Sequence, residues 1–309
     1  MASSKKAIYA ALIGNTLIAL TKFIAAAITG SSAMLAEGIH SCVDTGNQLL
    51  LLYGLKKAQK PPDARYPFGY GKEVYFWSFV VAILIFAVGA GVSIYEGILH
   101  IIKPGRLEDV YINYIVLGLA VIFEGSALYF ALAEFNKTKG SASYIEAIHR
   151  GKDPTLFVVV FEDSAALLGL LVAFLGIFLG QMTGNLYFDG AASIIVGLIL
   201  GATALWLAIE TKSLLIGESA KSATVQGIRE LVVADKDILH VNEVLTLHMG
   251  PQYVLVNLSV DFLDTLPAGR IEKTISQLDK KIKETYPEVK RVFVEAEGRQ
   301  TDVNHDTDE

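Results

Sequence analysis

Cysteine and charge are the two things of which this sequence has little. Its 309 residues include one cysteine, Cys42, so the chain cannot form an internal disulfide, and a metal site built from several thiolates is excluded. Charged residues make up only 19% of the chain, whereas soluble proteins have about a quarter. Hydrophobic residues make up 52%. This composition disfavours a soluble protein and indicates an integral membrane protein.

The apolar residues occur in runs long enough to cross a bilayer, which needs about 20 residues of helix. We predict a polytopic α-helical membrane protein with six transmembrane helices, at residues 7–29, 33–56, 73–101, 111–136, 154–180 and 187–213. Lys5 and Lys6 precede the first run, as they would in a signal peptide. That run is too long and has no clear cleavage site, so we interpret it as the first span.

Basic residues are divided unequally between the two sides of this arrangement. Eleven lie in the amino terminus and in the links 56–72 and 137–153, whereas the opposite side has only Lys103 and Arg106. Cytoplasmic links carry the excess of lysine and arginine. We therefore expect a multi-pass protein of the bacterial inner (plasma) membrane, with both termini in the cytoplasm.

After about residue 216 the composition becomes that of a soluble protein. Helical periodicity at 223–234 and 270–286 alternates with strand patterns at 241–248, 253–262 and 289–295. The order predicts a small α+β domain with its helices on one face of the sheet. We therefore divide the chain into a six-helix transport domain at 1–216, a cytoplasmic α+β domain at 217–297 and a disordered acidic tail at 298–309.

We single out nine ionisable side chains inside the predicted spans. Each costs roughly 2.5–3.5 kcal/mol near the centre of a bilayer, so such residues are functional candidates by default. They are Lys22, Glu37, His40, Asp44, Glu96, Glu124, Glu162, Asp163 and Asp189. Asp189 stands at the start of the last span, where we expect it to cap the amino end of the helix.

His40 and Asp44 are the strongest candidates in the second span. They are four residues apart, so on a helix they share one face, and they lie near the middle of the span. An imidazole and a carboxylate in this position form half of a divalent-metal site. The alternative is a structural hydrogen bond between helices.

Asp163 lies at a matching depth in the fifth span, about nine residues from its cytoplasmic end. Its neighbour Glu162 is rotated about 100° around the helix, so one of the two can face the site while the other faces a neighbouring helix. We predict that His40, Asp44, Asp163 and Glu162 bind the metal, with Glu37 and Glu124 as accessory groups.

One imidazole with several carboxylates suits Zn²⁺ and also Mn²⁺, Fe²⁺, Co²⁺ or Cd²⁺. Such ligands bind metal only when the imidazole is neutral and the carboxylates are ionised, so metal and protons compete. That competition suits a carrier that exchanges one for the other. The metal is then the transported substrate, and no resident cofactor is expected.

The sequence resembles the cation diffusion facilitator family over nearly its whole length. The segment "GSSAMLAEGIHSCVD" is similar to the family's second-span motif and "PFGYGKE" to the loop before its third span. The segments "EDSAALLG" and "FDGAAS" are similar to its fifth and sixth spans. The combination of these motifs is specific, although each alone is weak.

The resemblance implies export of a divalent metal, usually zinc, from the cytosol in exchange for protons. It also implies a homodimer joined partly through copper-chaperone-like (ferredoxin-like) cytoplasmic domains. The family's site takes two ligands from the second span and two from the fifth, at i and i+4. Here the position four before Asp163 is Val159, which cannot bind metal. The Glu162–Asp163 pair resembles the branch that includes an animal mitochondrial zinc transporter, and Glu162 or a water is expected as the fourth ligand.

The family's other metal sites are expected to be missing. In the loop site, Tyr66 and Tyr70 stand where the family has histidines, and only Asp63 remains. In the carboxy-terminal domain the matching positions are near Asn242, Asn257, Glu295 and Glu297, and the nearby His240 and His248 are interpreted as surface residues.

We therefore predict a proton-coupled zinc efflux antiporter, in contact with the lipid bilayer, with no enzymatic activity and no nucleic-acid partner. The first alternative is a transporter of another divalent metal. The others are a carrier or channel whose carboxylates form a proton relay, a metal-sensing membrane scaffold and a metal-dependent membrane enzyme.

Overall fold

The computed structural model describes residues 2–29, 32–103, 110–139 and 153–299. The other parts of the chain lie outside the described residues, among them the predicted acidic tail after residue 299. Within the described ranges the amino-terminal two thirds is helical. The helices are α1 (Ala2–Thr29), α2 (Ser32–Ala58), α3 (Glu73–Leu84), α4 (Gly91–Ile102), α5 (Val110–Lys139), α6 (Pro154–Thr183) and α7 (Tyr187–Ile216).

The segment Ile85–Ala90 joins α3 to α4 in π-helical geometry, so Glu73–Ile102 forms one continuous membrane-length helix. Single π turns inside helices are rare overall, and those that occur are often found at functional sites. Here the π segment packs against α7.

The remaining elements form a small sheet with two helices. They are α8 (Ser222–Val233), β1 (Ile238–Gly250), β2 (Tyr253–Phe262), α9 (Ala268–Thr285) and β3 (Val289–Ala296). The strand order is β1-β2-β3, with β1 antiparallel and β3 parallel to the central β2. The predicted order of helix, strand, strand, helix, strand is therefore confirmed.

Four helices in the described ranges are long and apolar enough to cross a membrane: Glu73–Ile102, Tyr114–Lys137, Pro154–Thr183 and Tyr187–Ile216. In α1 the apolar stretch is shorter, Ile8–Ile24. All six predicted spans are helical at close to the predicted bounds, and among the described residues four of them have the length and composition of a membrane span.

Small residues let α4 and α7 approach closely. A Cβ atom on Gly97 would lie 2.7 Å from the carbonyl oxygen of Gly190, and one on Gly197 would lie 3.0 Å from that of Ala90. Such close backbone contact at glycine is the usual device for packing membrane helices. It joins the third predicted span to the sixth.

We expect Gly97→Ala to destabilise the helical bundle, because the added methyl group must push α4 away from the Gly190 backbone. Overpacking of this kind costs about 1–3 kcal/mol. Thermal unfolding of the purified protein in detergent measures the effect. Gly118→Ala is the matched control, because a Cβ on Gly118 meets nothing within 4 Å. An unchanged melting temperature for Gly97→Ala would contradict the close α4–α7 contact.

The prediction that Asp189 caps α7 is wrong. The Asn185 side chain accepts a hydrogen bond from the backbone N–H of Tyr187 at the start of this helix, at 3.0 Å. Asp189 instead lies 2.8 Å from Nδ1 of His100. Its carboxylate therefore links α7 to α4, in addition to the close contact at the glycines.

The α2–α3 link, residues 59–72, contacts the carboxy-terminal sheet. The ring of Phe68 packs edge-on against Phe293 of β3, with 6.4 Å between ring centroids. Gly71 lies directly against the backbone of Met249 and Gly250 at the β1–β2 turn, where a Cβ would clash. The sheet therefore adjoins the end of the bundle where α2 ends and α6 begins.

A carboxylate ties α9 to the beginning of β1. Asp237 accepts a hydrogen bond from Thr274 Oγ1 at 2.6 Å and pairs with Arg270 Nε at 2.6 Å. The Thr274 hydrogen bond, and then that of Arg270, hold the pKa of Asp237 below its ordinary value of 3.8. A lowered folded-state pKa stabilises the fold above the unfolded-state pKa, and this contribution is lost as the pH falls through the folded-state pKa.

We therefore expect α9 to lose protection from hydrogen exchange as the pH falls below about 4, the ordinary range of an aspartate pKa. Hydrogen exchange of peptides from Ala268–Thr285, corrected for the intrinsic pH dependence, measures this in the full chain. In Asp237→Asn the pH-dependent step should disappear. Asp279→Asn is the control, because Asp279 pairs with Lys283 on the surface of the same helix. A step that persists in Asp237→Asn would refute the assignment.

Candidate metal-binding site

The second-span candidates lie on α2 as the spacing requires. His40 and Asp44 are both in this helix, one turn apart. The side chains of His40 and Glu37 lie outside the described residues, so their predicted roles are not tested. Asp44 is half-buried. Toward the end of the helix nearest the carboxy-terminal sheet, Asn47 and Gln48 follow one turn later.

Asp163 is buried two turns into α6. This helix begins at Pro154, and the Asp153 side chain caps it by accepting a hydrogen bond from the Thr155 backbone N–H at 3.2 Å. Asp163 is 1% exposed, and neither carboxylate oxygen has a hydrogen-bond partner among the described residues. A buried carboxylate without donors is costly unless a cation or a proton neutralises it. This is the property expected of a ligand for a transported cation.

Glu162 points toward α2. It is 7% exposed, and its carboxylate oxygens accept hydrogen bonds from Asn47 Nδ2 at 3.1 Å and Gln48 Nε2 at 3.0 Å. Because α2 carries the other candidates, Glu162 faces the site region and not an unrelated helix. These amide contacts connect residues about 115 positions apart in the chain.

Several carboxylates influence each other in this region. Asp163 interacts electrostatically with Glu124, Glu162 and Asp44, and Glu124 is itself buried in α5. Negative charges concentrated in a membrane interior repel strongly because the dielectric is low. The region is therefore an attractive place for a divalent cation.

The described side chains do not by themselves enclose an ion. No three His, Cys, Asp or Glu residues in the described ranges are grouped closely enough to hold a metal. The side chain of His40, the remaining candidate, lies outside the described residues.

Two further residues frame the region. Lys22 of α1 is buried and donates a hydrogen bond to Ser41 Oγ of α2 at 2.9 Å. This places a cationic side chain beside the residue that follows His40. Val159, one turn before Asp163, is fully buried and apolar. Its position in α6 is that of the expected but missing ligand.

Hydrogen bonds to Asp63 order the loop between α2 and α3. Asp63 accepts hydrogen bonds from the backbone N–H groups of Arg65 (2.9 Å) and Tyr66 (2.7 Å) and from the Tyr70 hydroxyl (2.6 Å). The Tyr70 bond is the main reason why the pKa of Asp63 is lowered, and it raises the pKa of Tyr70 to about 12. With its oxygens engaged in this way, Asp63 serves to order the loop.

The candidate positions in the carboxy-terminal sheet also bond to one another. Asn242 Nδ2 donates to Ser259 Oγ at 3.2 Å and to the Glu297 carbonyl oxygen at 3.2 Å. Ser259 Oγ donates to Glu297 Oε2 at 2.7 Å. The expectation that His248 is a surface residue is wrong, because it is buried on β1, where Nδ1 lies 3.4 Å from the Gly250 carbonyl oxygen.

Sequence reasoning missed Asn47 and Gln48. Neutral amides carry no charge, so the high cost of a buried charge does not single them out. Their signal was nevertheless present: both are polar residues in an apolar run, seven and eight positions after His40 and therefore on the same helical face.

Several known proteins are similar to this chain over most of its length. Residues 8–216 match the model of the cation efflux transmembrane domain. The chain is 33% identical over 259 residues to the proton-coupled zinc antiporter SLC30A9, mitochondrial, of Xenopus laevis, which covers 83% of the chain and 46% of that protein. It is 31% identical over 261 residues to metal tolerance protein C4 of Arabidopsis thaliana, which covers 84% of the chain and 57% of that protein.

A third relative matches over almost its full length. The manganese efflux system protein MneP of Bacillus subtilis is 24% identical over 302 residues, which covers 94% of the chain and 95% of that protein. The chain spans about half the length of the first two relatives. The relatives therefore include one named for zinc and one named for manganese.

Proposed function

The chain belongs to the cation efflux family, a family of transporters and not of enzymes, and on this premise we propose that it is a Zn²⁺/H⁺ antiporter. It exports zinc from the cytosol by alternating access. The single observation that carries this proposal is that both carboxylate oxygens of Asp163 are buried in α6 without a hydrogen-bond partner among the described residues. His40 and Asp44 of α2 and Asp163 and Glu162 of α6 bind the ion, with Glu37 and Glu124 accessory.

Proton competition would drive the exchange. When the site opens toward the cytosol, ionised carboxylates and a neutral His40 bind the metal. When it opens toward the acidic side, protonation weakens these ligands and the ion is released. The buried carboxylates Glu124, Glu162 and Asp163 would then alternate between neutralisation by a metal and neutralisation by protons.

The proposed arrangement in the membrane has all six helical segments as spans and both termini in the cytoplasm. The excess of basic residues on that side supports this orientation. The location is a bacterial inner membrane, and the active form is a homodimer joined partly through the cytoplasmic domain at 217–297.

Manganese is the second candidate substrate. MneP, which is named as a manganese efflux protein, matches the chain from end to end. Carboxylate-rich sites also suit Mn²⁺ better than sites rich in sulfur or imidazole. Which of the two metals binds more tightly depends on how strongly His40 contributes to binding the ion.

Purified protein in liposomes tests the proposal. With a metal-sensitive dye or a pH dye inside, a panel of Zn²⁺, Mn²⁺, Fe²⁺, Co²⁺ and Cd²⁺ is added outside. We expect saturable uptake, fastest for zinc, with protons moving in the opposite direction. Proton flux that does not depend on metal would contradict the antiporter and favour a proton relay. Metal binding without any uptake would favour a sensor.

A further inference from the structure

Two buried amides next to the proposed site have unused oxygens. Asn47 and Gln48 are 1% and 0% exposed, and each donates one hydrogen bond to the Glu162 carboxylate. The carbonyl oxygens of the same amides, Asn47 Oδ1 and Gln48 Oε1, are buried without a hydrogen-bond partner among the described residues. A buried polar atom without a partner needs an explanation, and a missing ion or water is the usual one.

The two amides and the carboxylate form one oxygen-rich group. Each carbonyl oxygen belongs to the same amide group as the nitrogen that bonds to Glu162. The oxygen is therefore separated from the hydrogen-bonded nitrogen by only the width of that amide group. An amide presents two donors on one side and an acceptor on the other, and a half-turn of the side-chain amide exchanges them. The N–H groups therefore occupy the places beside Glu162 that oxygens would take around a cation.

We propose that Glu162, Asn47 and Gln48 form a second binding position for a divalent cation, one helical turn from Asp44 toward the carboxy-terminal sheet. Glu162 is shared between this position and the proposed main site. On binding, the amides turn so that their oxygens join the carboxylate around the ion. The position lies between Asp44 and the end of the bundle that adjoins the sheet. This inference rests on the proposed function in one respect: an ion bound at this position is then passed to Asp44 and Asp163.

The ligands set the kind of ion. Two amide oxygens and a carboxylate are hard donors, which suit Mn²⁺, Mg²⁺ and Ca²⁺ completed by water, and they offer no nitrogen or sulfur. The proposed main site includes the imidazole of His40, which suits zinc. The position at Asn47 and Gln48 therefore admits divalent cations with little discrimination, and selection between zinc and manganese occurs at His40.

Electron paramagnetic resonance of Mn²⁺ tests this on the purified full-length protein in detergent. The background variant Asp44→Asn/Asp163→Asn removes two ligands of the proposed main site and leaves the second position intact. We expect this variant to retain one bound Mn²⁺ per chain. Adding Asn47→Leu and Gln48→Leu, which replace the amides by apolar groups of similar size, is expected to remove it.

A matched amide elsewhere in the bundle is the control. Asn15 of α1 is also buried, and Asn15→Leu in the same background should leave the bound Mn²⁺ unchanged. If the background variant binds no Mn²⁺, or if binding survives the Asn47 and Gln48 changes, the proposal is overturned. Neither result depends on transport, so a parent protein that carries no metal in liposomes leaves this test intact.

A second variant separates binding from a purely structural hydrogen bond and covers a failure of the leucine variants to fold. Gln48→Glu places a second carboxylate beside Glu162 in the same background. If the group binds a cation, the Mn²⁺ dissociation constant should fall about tenfold or more, which corresponds to about 1.4 kcal/mol. If Gln48 only holds Glu162 in place, repulsion between the carboxylates should weaken or abolish binding, and that outcome overturns the proposal.

Discussion

Replacing Asp44 by alanine is expected to reduce metal uptake into liposomes to the level of empty vesicles while the protein remains folded. Asp44 lies one turn after His40 on α2, and it acts electrostatically on the buried Asp163 of α6. No other carboxylate lies on α2 between Asp44 and the amides of Asn47 and Gln48. Without it, α2 keeps only the imidazole of His40 from the proposed ligand set, since the accessory Glu37 lies two turns before Asp44 on this helix.

Asp189→Asn is the matched control for this experiment. Asp189 is also an aspartate in a membrane-length helix, but it pairs with His100 away from the proposed site. Transport by this variant should remain within about threefold of the parent, since surface pairs contribute about 1 kcal/mol or less. If Asp44→Ala transported metal like the parent, the central part of this account would be wrong.

Glu162→Gln is expected to weaken zinc binding by at least tenfold, or about 1.4 kcal/mol, in calorimetric titrations of the purified protein. The glutamine loses the negative charge, and its own amide N–H group meets the N–H groups of Asn47 and Gln48. Glu124→Gln, a substitution of the same kind in α5, should weaken binding only mildly, because Glu124 is an accessory group. If Glu162→Gln bound zinc as tightly as the parent, Glu162 would not be a ligand, and water or Glu37 would be the better candidate for the fourth position.

A rescue variant makes this prediction sharper. Val159 is buried one turn before Asp163, where a first ligand is expected. Val159→His in the Glu162→Gln background should therefore recover part of the zinc affinity, because it rebuilds an i, i+4 pair with Asp163. Val158→His is the control, since Val158 is equally buried but points about 100° away around the helix. Recovery by both variants would indicate nonspecific binding by the added histidine.

The helices and the order of the carboxy-terminal elements could be predicted because their signals are local. Apolar runs and their periodicity follow from burial within one element, as at 154–180, where α6 extends over Pro154–Thr183. The role of Asp189 could not be predicted, because an aspartate at the start of a helix is as suited to bonding the first N–H groups as Asn185, which accepts from the Tyr187 N–H. Only the three-dimensional contact between Asp189 and His100 distinguishes them.

The residue types of the candidate site can be proposed from the sequence, but their contacts cannot. Charge in an apolar run singles out Asp44, Glu162 and Asp163 as candidates, because buried charge is costly wherever the helix packs. Which way Glu162 points depends on the packing of α2 near α6, and its partners Asn47 and Gln48 are more than a hundred residues away in sequence. The residue pattern of a single helix does not show which residues of another helix its side chains will contact.

X-ray absorption at the zinc edge, on protein loaded with one Zn²⁺ per chain, tests the central claim most directly. This claim is that α2 and α6 together hold the transported ion. The account predicts nitrogen and oxygen ligands at about 2.0–2.2 Å, with the scattering of one imidazole. The imidazole signal should vanish in His40→Gln, and the zinc should be lost in Asp163→Asn. A zinc spectrum that stays the same in both variants would contradict the account.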